Sequence, residues 1–324
     1  MLINSAGNRE RINFLARKYI ELRACGVSES DILVILLNSY KKNCFVNEIK
    51  KINPKIELKE NKILTFFGLC YNSFSDNWEY ISSLINNYDT SVKPNLCGLE
   101  VSQYIFKQCI KEGNFSDYIS KVNLLHQLFR RYSLIVQNCL SRDEILKRSR
   151  ILNETFALDA QNAIEEDKRK TIQYKSFDYL RQTAILPEIY KNTDYFKNIK
   201  YFLADDVDEQ PYSFWSFVEA ILPDLKDYFI AYDRQGSTRC GYLCAYKSGI
   251  SDFKEKYKPQ ETELIAKKTF SDFAKEFSSN IKNGQKTDIK DIKYINKIKR
   301  LDVSDDVLND INQLLKNGVQ ADDI

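Results

Sequence analysis

Six polar side chains crowd one short stretch near the amino terminus: Lys41, Lys42, Asn47, Lys50, Lys51 and Lys55. Lysine ammoniums neutralise phosphates and release bound counterions, and asparagine amides bond to phosphates or base edges. The chemistry indicated is contact with duplex DNA. The spacing reads as a helix-turn-helix over 31–53. Ile35 to Lys42 would end a supporting helix, and Asn43 would turn the chain, since asparagine tolerates the left-handed conformation. Val46 to Asn53 would form the second helix, with Ile49 and Ile52 inward and Asn47, Lys50 and Lys51 outward. Ser39 is small enough for a close helix crossing. Lys41, Lys42 and Lys55 would add phosphate contacts. A register turning at Gly26 fails, because Leu33, Val34 and Leu37 would face the groove.

Other reactive groups give weaker patterns. Asp205, Asp206, Asp208 and Glu209 form an acidic string without the spacing or glycine of a calcium loop. It reads as an acidic segment before Pro211, with a cation-dependent enzyme as the weakest alternative. His126, the only histidine, sits among leucines and reads as a core or boundary residue. The eight cysteines include no CxxC pair and read as reduced thiols. A second basic set, Arg130, Arg131, Arg142, Lys147, Arg148 and Arg150, is spread around its helices and reads as paired or solvated. The aromatics Tyr212, Phe214, Trp215 and Phe217 read as core. Glycine-rich phosphate loops, nucleophile elbows and zinc-protease motifs do not occur. No catalytic residue, metal or cofactor is expected, and the chain is not expected to be an enzyme.

The elements that must position these groups read as mostly helical at first. Arg9 to Cys25 carries an apolar stripe of helical period, closed by Gly26. Asp31 to Tyr40 reads as a buried helix. Further helices are expected at about 61–71, 76–88 and 99–112, and from Ser116. The Ser141-Arg142-Asp143-Glu144 capping box opens another, reaching about Glu165. After residue 170 the texture changes. Ile199 to Ala204 reads as a strand, and Tyr228 to Tyr232 with Cys240 to Tyr246 as a hairpin. Helices are expected again at 261–281, 290–298 and 304–316. The expected fold is mainly α, a multi-helix domain over 1–168 followed by an α+β region over 169–324 with a small antiparallel sheet.

Composition bounds the rest. The chain has 324 residues, 43% of them apolar, enough for a real core. A net charge of +3 does not by itself argue for nucleic acid, although eleven bases face seven acids over residues 1–60. The short polar start and the absence of a membrane-length apolar run favour a cytoplasmic protein with no membrane partner. The leading expectation is a DNA-binding regulatory or accessory protein. Its rival is a scaffold component, and a protein partner or homo-oligomer is expected in either case.

Overall fold

A computed structural model describes residues 1–59, 62–84, 93–112, 121–141, 173–234, 236–240, 244–265 and 300–318. Between 143 and 170 it also describes 143–145, 147, 165–167 and 169–170. The chain divides into two compact units, Met1–Lys267 and Lys268–Ile324.

The first unit is built on a sheet of six parallel strands: β1 (Leu2–Asn4), β2 (Ile32–Leu36), β3 (Ile63–Thr65), β6 (Tyr201–Ala204), β7 (Asp227–Tyr232) and β8 (Glu261–Glu263). Their order is β3-β2-β6-β7-β1-β8. The remaining two strands, β4 (Asn95–Cys97) and β5 (Ser176–Asp178), pair with each other, also in parallel. The expected mainly α chain with an antiparallel sheet is therefore corrected to a mixed α/β protein whose described residues are rich in helix and whose sheets are parallel.

The decisive difference lies at residues 32–36. The run ILVIL, expected as a helix, is strand β2 and is buried throughout. A strand covered on both faces has no polar alternation to betray it, so it reads like a buried helix. Its β-branched residues favour the extended form. Ile32, Val34 and Leu36 join the core on one face, and Leu33 and Ile35 join the core on the other.

Helices cover both faces. On one lie α1 (Asn8–Ala24) and α2 (Ser39–Ile52), through Ile12, Leu15, Tyr19, Phe45, Val46 and Ile49. On the other lie α3 (Phe66–Asp76), α7 (Tyr179–Asn192), α8 (Tyr212–Ile221) and α9 (Gly249–Tyr257). Phe214, Trp215 and Phe217 are buried there as expected, while Tyr212 is partly exposed. The Tyr228–Tyr232 run is strand β7, but its neighbours are β6 and β1, so the expected hairpin does not form. Between β3 and β6 the chain also forms α4 (Trp78–Leu84), α5 (Leu99–Glu112) and α6 (Lys121–Gln137).

In the second unit the described helix is α10 (Arg300–Lys316). The helix expected at 261–281 opens instead with strand β8; its remainder beyond residue 265, the helix expected at 290–298, and Arg142, Arg148 and Arg150 lie outside the described residues. All eight cysteines are free thiols. Among the described residues no helix is long and apolar enough to cross a membrane.

Candidate functional site

The residues expected to meet DNA lie on or just after α2. Asn38 caps this helix, its side chain accepting the Lys41 N–H at 2.9 Å. Asn43 is therefore an interior helical residue and not a turn. Asparagine is only about 0.7 kcal/mol worse than alanine inside a helix, a small cost beside the burial of Phe45, Val46 and Ile49. The segment 31–53 is thus a strand followed by one helix, and the expected two-helix geometry is absent. What survives is an outer face. Tyr40, Asn43, Asn47, Lys50 and Lys51 are exposed along α2, and Lys55 is exposed just beyond it. Glu48, the helix's only acid, accepts a bond from Asn13 at 2.5 Å, and Lys51 Nζ stands 3.9 Å from it. Lys42 is half-buried.

Lys41 points elsewhere. Helical period puts it on the inward face with Phe45 and Ile49, and its side chain is 12% exposed. It reaches the carboxyl ends of the strands. Open α/β sheets hold ligands there, where successive connections leave to opposite faces. In this sheet β1 leads into α1 on one face, while β7 leads towards β8 through α9 on the other.

A buried ionic knot occupies that position. Arg11 stands in the first turns of α1, where side chains lean back towards the helix start. Its Nε donates to Asp205 Oδ1 at 2.7 Å, one terminal nitrogen donates to Asp206 Oδ1, and the other donates to Ser5 O at 2.6 Å. Lys41 Nζ lies 3.0 Å from Asp206 Oδ2 and 3.9 Å from Asp205 Oδ2, and donates to Asn8 Oδ1. Arg11, Asp205 and Asp206 are all buried. Burial works against the Arg11 charge, but Asp205, Asp206 and Asp208 outweigh it and raise its pKa. Burial pushes Asp205 above the usual carboxylate range, with Arg11 opposing. Asp206 has φ +52°, a strained conformation that aspartate tolerates better than most residues.

The acidic string continues into a clamp. Asp208 accepts N–H bonds from Asp233 at 3.0 Å and Ser237 at 3.3 Å. Burial raises its pKa to about 6 despite those bonds. Gly236 is required here, because a Cβ on it would stand 1.7 Å from Asp208 Oδ2. Glu209 accepts the Arg239 N–H at 2.9 Å. The string read as an acidic segment before Pro211 is therefore the polar centre at the carboxyl ends of the central strands. Sequence reasoning missed Arg11 altogether. The usable signal was an apolar run, Tyr201 to Ala204, ending abruptly in two aspartates. His126 is exposed.

The knot joins two carboxylates to two cations and leaves the turn Ser5–Gly7 tied to its own strands. Ser5 N donates to Tyr232 O at 3.1 Å, and Gly7 N to Ser5 Oγ at 3.1 Å. Such an arrangement fixes α1 and α2 against the sheet. No known family model matches the chain, and no curated protein matches it in sequence.

Proposed function

We propose that the chain is a non-enzymatic accessory protein that contacts duplex DNA through the outer face of α2. One observation carries this reading: Asn43, Asn47, Lys50 and Lys51 share an exposed helix face whose only acid, Glu48, is turned to Asn13. Lysines on such a face neutralise phosphates, and the amides add hydrogen bonds to the backbone. The knot supports the non-enzymatic part, because its carboxylates are already paired with Arg11 and Lys41. Fluorescence anisotropy with a labelled duplex tests the reading. Binding should weaken with salt, with a slope set by roughly two to three phosphates at about 0.9 each. Lys50→Glu with Lys51→Glu should abolish it while helicity is retained. Wild-type protein that ignores duplex DNA at low salt, or a double variant that binds equally well, overturns the proposal.

A second reading, a protein-interaction component, is favoured by α10. Val307, Leu308, Leu314 and Leu315 are 42–56% exposed and recur at helical spacing. Light scattering of the intact protein separates the two readings. A stable oligomer lost on Leu308→Glu, in a chain that ignores DNA, supports the second.

A further inference from the structure

We propose that a cavity beside the amino end of β2, at the far end of that strand from the ionic knot, binds a small phosphate compound. The cavity has a volume of about 410 Å³ and is lined by Arg23, Ser28, Glu29, Ser30, Lys59 and Lys62. That size falls within the range of small-molecule sites. Its described lining carries three cations against one carboxylate.

The single acid is engaged. Glu29 accepts the Lys59 backbone N–H at 2.9 and 3.2 Å. Arg23 Nε is buried and has no acceptor, although another of its nitrogens donates to Val27 O at 2.7 Å. Buried donors without acceptors are rare and point to a missing partner. Lys62 stands over the Tyr195 ring at 5.0 Å. Burial lowers its pKa, with Asp76 opposing, and an anion in the cavity would favour its charged form. Two of the carbonyls ending α1 are already engaged. Leu22 O and Arg23 O accept the Val27 and Gly26 N–H groups at 3.1 Å each. Ser28 and Ser30 bring hydroxyls to the rim, bonded to each other at 2.8 Å, with Ser30 donating to Asp31 at 2.9 Å.

A guanidinium and two ammoniums match a tetrahedral dianion with several acceptor oxygens better than a lone carboxylate.

Pyrophosphate and inorganic phosphate are the probes, titrated into the full chain and followed by ³¹P line broadening and thermal shift. Sodium chloride at matched ionic strength is the control. Saturable binding is expected, weakened at least tenfold by Lys62→Gln and by Arg23→Gln. Lys62→Gln guards against misreading, since Arg23 also braces the end of α1. Lys50→Glu with Lys51→Glu should leave phosphate binding unchanged, which separates this site from the α2 face. A response no larger than that to chloride, equal binding by both cavity variants, or displacement of pyrophosphate by duplex DNA overturns the proposal.

Discussion

Replacing Arg11 by methionine tests the ionic knot most directly. Methionine fills much of the volume but removes the charge and three donated hydrogen bonds. Asp205 and Asp206 would then keep only Lys41, which stands 3.9 Å from Asp205. Breaking a buried pair from one side costs about 3–5 kcal/mol, because the remaining charge stays buried. That is roughly two to three and a half decades in the folding equilibrium, and a large part of the ~5–15 kcal/mol that holds a typical protein together. Urea unfolding followed by the fluorescence of Trp78 and Trp215 measures it as a lower midpoint at unchanged slope. Two further readouts separate an electrostatic cause from poor packing. Adding Asp205→Asn alone to Arg11→Met should recover at least half the loss, since the charges that remain, Asp206 and Lys41, still face each other at 3.0 Å. In the single variant, Asp205 loses the cation that lowers its pKa, so the folded state holds protons more tightly than the unfolded state. Its deficit should therefore shrink as pH falls from 7 towards 5. A deficit under about 1 kcal/mol, or a double variant no better than the single one, refutes the reasoning.

Two other substitutions follow from the Asp208 clamp. Its folded pKa of about 6 lies above the usual carboxylate value of about 3.9, so the native state binds its proton more tightly. Stability from this group is full below pH 4 and is lost as pH rises through 6, a fall of roughly 2–3 kcal/mol. Asp208→Asn should flatten that part of a pH–stability profile, and an unchanged profile would place the titration elsewhere. Gly236→Ala drives a Cβ to within 1.7 Å of Asp208 Oδ2 and 3.0 Å of Asp233 O. The carboxylate cannot retreat without losing both its N–H bonds, so a loss of about 2–4 kcal/mol is expected by urea unfolding. A neutral result would mean that the loop shifts freely.

What the sequence disclosed was mostly local. Gly26 closes α1 with φ +84°, as its place after the apolar stripe implied. Helix α5 spans the expected 99–112, and the Ser141 capping box forms, with Ser141 N donating to Glu144 at 2.8 Å. The strand read at Ile199–Ala204 exists as β6, because alternation failed there but its polar flanks were sharp. Strand β2 was hidden by its own burial on both faces. Read as a helix, it makes Val46 to Asn53 the second helix of a helix-turn-helix, and the reading of the whole amino-terminal region as a bundle follows. The knot was hidden for a different reason. Arg11 and Asp205 are 194 residues apart, and only the sheet order brings α1 above the end of β6. No spacing rule links two residues whose contact depends on which strands become neighbours.

The division of labour along α2 gives a sharper test of the DNA proposal than the charge reversal does. Lys41 and Lys50 belong to one helix of net positive charge, and both were read as phosphate contacts. The helix points them in different directions. Lys41 is 12% exposed and held against Asp205 and Asp206, whereas Lys50 is exposed on the outer face. Freeing Lys41 for a phosphate would leave Arg11 as the one cation facing two buried carboxylates, a cost no single surface phosphate contact offsets. Lys41→Gln should therefore cost about 1–3 kcal/mol in stability while leaving the salt dependence of DNA binding unchanged. Lys50→Gln should do the reverse, reducing the salt slope by about 0.9 with stability nearly untouched. If Lys41→Gln weakens DNA binding as much as Lys50→Gln, the inner face of the helix takes part, and the contact surface assigned to α2 is wrong.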